Sequence, residues 1–160
     1  MELRKSLYPV LSFVPQAIRN SFYPESWMKE HVKSNLREHE EALSIKTHPI
    51  PYVELQVDVE NNFPTQLQIY GMHVEIWLGK PVIQFSTFVS ESLRPGEKRT
   101  GMNCISFINS FQSEILNPTK KDSVPPNVMV IYTLSCRTPL GIFEKTVKST
   151  WVAPVILPKR

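Results

Sequence analysis

At 160 residues, 41% hydrophobic and 21% charged, the chain has the size and composition of one globular domain. This argues against a disordered segment and leaves room for a core without metal or disulfide staples. The formal charge of +3 is small, and no single element gathers the Lys and Arg residues, which speaks against nucleic acid as a partner.

Two further tallies narrow the class. Fourteen prolines against five glycines suit a strand-rich protein with stiffened turns. Cys104 and Cys136 form no metal-type pair and read as buried thiols of a reducing compartment, with a disulfide pinning two strands as the alternative. No apolar run reaches the roughly 20 residues of a membrane span. Pro9, Ser12, Pro15 and Gln16 interrupt any signal-peptide-like stretch, and Pro118 disqualifies the one near-sequon at Asn117. A cytoplasmic protein, peripheral at a membrane if bound to one, is the expectation.

In chain order, Leu3, Leu7, Val10, Leu11, Val14, Ile18 and Phe22 recur at spacings of three and four, one face of a helix that Pro9 and Pro15 kink. With Arg4, Lys5 and Arg19 this piece is mildly basic. It is expected either to dock on a protein partner or membrane surface or to fold back onto the domain. Leu3, Leu7, Leu11, Val14, Ile18, Phe22 and Trp27 are the candidate docking residues. Residues 25–46 read as the clearest helix, entered at Pro24 and Glu25, with Met28, Val32, Leu36, His39 and Leu43 as its stripe. The expected division is a helical extension over 1–48 and a β-sandwich over 49–160.

From Val53 the pattern changes to strict alternation. Val53, Leu55, Val57 and Val59 share one face, and Glu54, Gln56, Asp58 and Glu60 share the other, which reads as wet. Asn61, Asn62 and Pro64 end this strand. The next run carries Leu67 and Ile69 at odd positions but Val74, Ile76 and Leu78 at even ones, which predicts a bulge near Gly71–Met72. A turn at Gly79-Lys80 leads to a third strand over 81–89, antiparallel to the second. A polar connection with a Pro95-Gly96 turn follows, then a strand over 102–108. Residues 109–123 read as a helical turn or a short strand. The chain closes with a hairpin of strands over 127–137 and 142–152 around Thr138-Pro139-Leu140-Gly141, whose last strand looks like a lysine-guarded edge. Ile69, Trp77, Phe85, Phe107, Tyr132 and Trp151 are the large core candidates. The whole predicts a mainly β protein: an antiparallel sandwich of six or seven strands, immunoglobulin- or fibronectin III-like, with an N-terminal helical extension.

The order of these features resembles a known family. An alternating strand ends in Asn61-Asn62-Phe63-Pro64, and LQIYGMHVEIWLGKPV, a Leu-Arg-Pro-Gly connection and the Thr138-Pro139-Leu140-Gly141 turn follow. This is similar to the group 2 late embryogenesis abundant proteins, which share the water stress and hypersensitive response domain. The resemblance spans about residues 52–152. It implies a seven-stranded sandwich of the fibronectin III kind, an association with desiccation or other stress, frequent proximity to membranes, and no catalytic residues to carry over.

Reactive chemistry is hard to assemble from the sequence. His39-Glu40-Glu41-Ala42-Leu43 starts like a zinc-protease helix but has Leu43 where the second histidine belongs. His31 and His39 are too far apart to share an ion, and no nucleophile elbow or phosphate-cradling glycine loop occurs. The basic clusters at 94–99, 120–121 and 159–160 sit in connections and at the tail. The expectation is therefore no catalytic residue, no metal, no cofactor and no nucleic acid. The expected function is that of a non-enzymatic, stress-related sandwich module acting by protein or membrane-surface contact. The alternatives are a structural subunit of a larger assembly and a small apolar-ligand carrier.

Overall fold

The computed structural model describes residues 14–37, 42–47, 49–116 and 126–157. Helices α1 (Gln16–Phe22) and α2 (Glu25–Glu30) lead into strands β1 (Val32–Leu36), β2 (Leu43–Lys46), β3 (Tyr52–Asn61), β4 (Leu67–Leu78), β5 (Lys80–Leu93) and β6 (Lys98–Phe107). Helix α3 (Ser110–Leu116) follows, then β7 (Val128–Thr138), β8 (Gly141–Val152) and β9 (Val155–Ile156). Two sheets result: sheet A carries β1, β2, β3, β6 and β9, and sheet B has the order β5-β4-β7-β8. The mainly β, two-sheet sandwich with a short N-terminal helical piece is what the alternation predicted.

The alternating strand β3 is the axis of sheet A. One side of it pairs with β6. The other is shared by β1, opposite residues 57–61, and β2, opposite residues 52–55. Gln56 bridges the gap between them: Arg37 N donates to its carbonyl at 3.1 Å, and its N–H donates to Ala42 O at 2.8 Å. Val53, Leu55 and Val57 of sheet A face Leu67, Ile69, Val74, Ile76, Val130, Tyr132 and Leu134 of sheet B, all fully buried. Burying each such aliphatic side chain contributes about 1.5–3 kcal/mol, which makes this layer the main source of stability.

The long helix expected over 25–46 is not there. It stops at Glu30, where His31 N donates to Met28 O and the His31 ring bonds to Trp27 O at 2.8 Å, occupying carbonyls the helix would otherwise need. Residues 32–36 then alternate inward and outward as a strand. A spacing of four satisfies a helix and a strand alike, so Val32 and Leu36 fitted both. Ser34, the inward residue between them, decides for the strand. It donates to Asp58 O at 3.0 Å and lies 2.8 Å from Tyr132 Oη, joining β1 to both sheets. Sheet A therefore draws strands from both sides of residue 48, where the helical extension was expected to end.

Other elements lie close to their expected places. The register of β4 slips between Ile69 and Gly71 against both neighbours, the bulge that the change of parity demanded. β5 runs on to Leu93 and β6 starts at Lys98, so the polar connection shrinks to residues 94–97 around Gly96, at φ +77°. The least readable stretch holds α3, and residues 117–125 lie outside the described set. Among the described residues nine strands replace the six or seven expected, because β1 and β2 hide in the supposed helix and β9 is only two residues long.

Two junctions fix the strand ends. At Asn61, fully buried, Nδ2 donates to the carbonyls of Thr65 (2.8 Å), Leu93 (3.0 Å) and Arg94 (3.1 Å), while Oδ1 accepts from Phe63 N at 2.9 Å. Its backbone also accepts from Gly96 N and donates to Glu97 O. At Asp58, a register slip in β6 places Gly101 in the left-handed region (φ +65°), and its N–H donates to Asp58 Oδ1 at 2.9 Å. The positive φ favours glycine here, and a Cβ on Gly101 would stand 3.1 Å from Arg37 Nη1, so that guanidinium would have to shift slightly. Asp58 is buried and bonded, against the expectation of a wet-face carboxylate.

Asn61→Ala strips four groups of their partner at once, in three buried bonds and one half-buried one. At a net contribution of about 1 kcal/mol per bond, the expected loss is about 2–4 kcal/mol, read as a lower urea midpoint with an unchanged slope.

Candidate interaction surfaces

Of the four N-terminal docking residues within the described set, two pack on the core and two stay exposed. α2 lies across one end of the sandwich. Tyr23 and Met28 are buried there, and Trp27 packs between Tyr23 (ring centroids 5.0 Å), His31 (3.8 Å) and Phe63 (5.7 Å), with Phe143 beyond Phe63. Arg19 Nη1 donates to Pro139 O and Lys145 Nζ to Lys29 O, both at 2.9 Å, tying both helices to the β7–β8 hairpin. Val14 and Trp27 pack on the core, whereas Ile18 and Phe22 stay 49% and 43% exposed. Leu3, Leu7 and Leu11 lie outside the described residues.

One constellation was not visible in the sequence. On the outer face of sheet B, His73 Nδ1 shares a 2.9 Å hydrogen bond with Ser86 Oγ, and His73 Nε2 lies 3.4 Å from Glu75 Oε1. Serine, histidine and carboxylate thus follow one another as in a hydrolase triad. The setting differs. Ser86 is exposed and the His73 side chain is 44% exposed on an open sheet face, while Glu75 Oε2 is also held by Trp77 Nε1 at 2.8 Å. The side chains lining the clefts beside β8, near Pro139 and at Gly96 belong to other residues. A nucleophile needs a bound acyl group and donors aimed at its developing charge, and this flat polar ladder seats neither. Its role is cross-strand pairing of β4 with β5. The signal in sequence was His73 and Glu75 on one face of β4, with Ser86 brought opposite by register.

Among the described residues no group of three His, Cys, Asp or Glu side chains is placed to hold a metal ion, and no helix is long and apolar enough to cross a membrane. Both cysteines are free and buried. Burial pushes the Cys104 and Cys136 thiols up to about 12, and Lys145 opposes the shift at Cys136 only in part. Burial also drives the Tyr132 phenol up to about 12, the Ser34 hydrogen bond opposing it and the nearby Asp58 charge adding to it.

Large apolar side chains stand open at the opposite end of the sandwich from α2. Phe107 (73% exposed) ends β6 on the outer face of sheet A, paired in register with Tyr52, and Ile105 lies two residues back on the same face. Ile50 precedes β3, and Ile108 N donates to Pro51 O, which draws the two segments together. Phe111 (71% exposed) projects from α3, anchored by Gln112 Nε2 to Val82 O. Phe107 was expected in the core. Met102 and Cys104 hold the inward parity of β6, so Phe107 must point out. Phe88, 98% exposed, stands alone on the outer face of β5.

A second surface lies where the sandwich opens at its side. A cleft of about 760 Å³ is bounded by Asn35 and Arg37 at the end of β1, by residues 147–152 of β8 and by residues 153–155. Here β8 carries one extra residue against β7. Met129 pairs with Trp151 while Ile131 pairs with Lys148, and Val130 N donates to Ser149 Oγ at 2.9 Å in place of a ladder carbonyl. This slip turns Trp151, expected in the core, to the surface at 59% exposure, and sets Val152 opposite buried Val128 instead.

Comparison with models of known protein families and with characterised proteins finds no match for this chain.

Two outcomes are expected. Hydrolysis of a p-nitrophenyl ester by the Ser86→Ala and His73→Ala variants should equal that of the unaltered chain, since the trio lacks a substrate seat. The second concerns pH. The unfolded thiols release protons near 9 and the unfolded phenol near 10, whereas the folded groups hold theirs to about 12. The folded state then binds more protons, so stability is fully present below about pH 9 and falls as the pH rises toward 12. Urea midpoints measured across that window should decline, less steeply in a Cys104→Val, Cys136→Val variant.

Proposed function

We propose that the chain is a non-enzymatic β-sandwich module of the stress-protection kind, acting in the cytoplasm by contact with other proteins. The observation that carries this reading is the group of exposed Ile50, Ile105, Phe107 and Phe111 at one end of the sandwich. Contiguous exposed apolar groups mark an interaction site, and aromatic rings deliver large contact area at low conformational cost. Such a face can cover the apolar surface that a drying or heated protein exposes, holding it apart from its neighbours without any chemical step. The likeness to late embryogenesis abundant proteins of group 2 supports the same reading from the sequence side. Membrane contact is the second reading, favoured by the exposure of Ile18 and Phe22 on α1.

One preparation addresses both. A Phe107→Ser, Phe111→Ser variant should keep its circular dichroism spectrum, because both rings are exposed, but protect a dehydrogenase through drying and rehydration no better than an inert protein at equal mass. Undiminished protection would remove the apolar end from the account. Flotation with anionic liposomes that is lost on Ile18→Asn, Phe22→Ser would move the reading to membranes. Truncation at residue 48 is unsuited to this purpose, since it takes β1 and β2 with it.

A further inference from the structure

The side cleft has the features of a strand-addition site, and this does not depend on the apolar end discussed above. Two strands leave an edge open toward it. Among the described residues β1 pairs with β3 alone, and β8 is the outer strand of sheet B beside it. The edge groups within the cleft are bonded locally: Asn35 Nδ2 donates to Leu36 O at 2.9 Å and Ser149 Oγ to Thr150 O at 2.6 Å. Bonds of this kind blunt an edge yet exchange readily for the N–H of an incoming strand. The slip at residues 149–150 bends β8 away and exposes Trp151 at the mouth.

Charge selects the occupant. Among the described residues, the charged side chains lining the cleft are Arg37 and Lys148, with no carboxylate beside them. Arg37 bonds to the neutral Gln56 amide, and neither cation forms an ion pair with a described carboxylate. Lys33, outward on β1 and 68% exposed, lies 4.0 Å from Glu60 and is matched there, so Arg37 and Lys148 carry the selection. A neutral or basic strand entering here would bury or oppose these charges, while a carboxylate would meet them at hydrogen-bonding range.

We propose that the cleft binds an extended acidic segment of a partner protein. The segment adds along the free edge of β1, sets a carboxylate between Arg37 and Lys148, and lays an apolar side chain against Trp151. Affinity then comes from main-chain bonds and the Trp151 contact, and sign selectivity from the two cations. Glu38, Glu40 and Glu41 follow Arg37 in sequence and lie outside the described residues, so the sign of the preference is the decisive readout.

The test uses the full chain and three labelled nine-residue peptides, read by fluorescence anisotropy. The first alternates Thr and Val with two Asp residues, the second has Lys for Asp, and the third is the acidic peptide with a central proline. The acidic peptide should bind, the lysine peptide should not, and the proline should weaken binding by at least about tenfold, because it removes a ladder donor. Lys148→Glu, at an exposed site, should weaken the acidic peptide by about tenfold, and Arg37→Glu with Lys148→Glu should transfer the preference to the lysine peptide. If Arg37→Glu compromises folding, the Lys148→Glu result stands alone. Failure of the acidic peptide to bind, equal binding of the lysine or proline peptide, or indifference to Lys148→Glu would each overturn the proposal.

Discussion

The fold depends on one buried amide. A sandwich is held face to face by its apolar layer, but that layer does not say where the strands must stop, and side-chain alternation alone tolerates sliding by two residues. Asn61 supplies the missing stop. Its side chain and backbone collect the end of β3, the Phe63 turn, the end of β5 and the 94–97 turn into one hydrogen-bonded knot, while the neighbouring Asn62 N–H donates to His31 O. Few residues other than asparagine offer a donor pair and an acceptor in so small a volume. With that junction set, Phe63 falls between Trp27 and Phe143, and the helices close the end of the core instead of leaving it open.

How far this was legible in the sequence follows from periodicity. β3, β7 and the start of β8 alternate cleanly over eight or more residues, and the broken parity in β4 located its slip. The reading failed where one spacing serves two structures. Val32 and Leu36, four apart, suit a helix face and a strand face equally, and only the bonding of Ser34 across the sandwich distinguishes them. Trp151 failed for a related reason. A single additional residue at Ser149–Thr150 reverses the parity of everything after it, and a hydroxyl standing in for a ladder carbonyl leaves no pattern in a linear string.

The candidate surfaces were less legible than the fold. The Ser86–His73–Glu75 alignment comes from register between strands, and the side cleft could not be foreseen while β1 was taken for helix. The apolar end is a matter of which face each ring occupies. Phe107 follows the parity set by Met102 and Cys104, whereas the exposure of Phe111 depends on α3, in the stretch with the weakest pattern.

The way β1 and β2 share one side of β3 has an evolutionary consequence. The chain leaves the sheet at Arg37 and re-enters at Ala42, both anchored to the same residue, Gln56. The seam is closed on either side, so its length is not constrained by the strands it joins. Lengthening such an excursion costs only about 0.6 kcal/mol per doubling of its residues. Descendants of this chain can therefore rewrite or enlarge the sequence between Arg37 and Ala42 and acquire new binding preferences while the scaffold stays untouched.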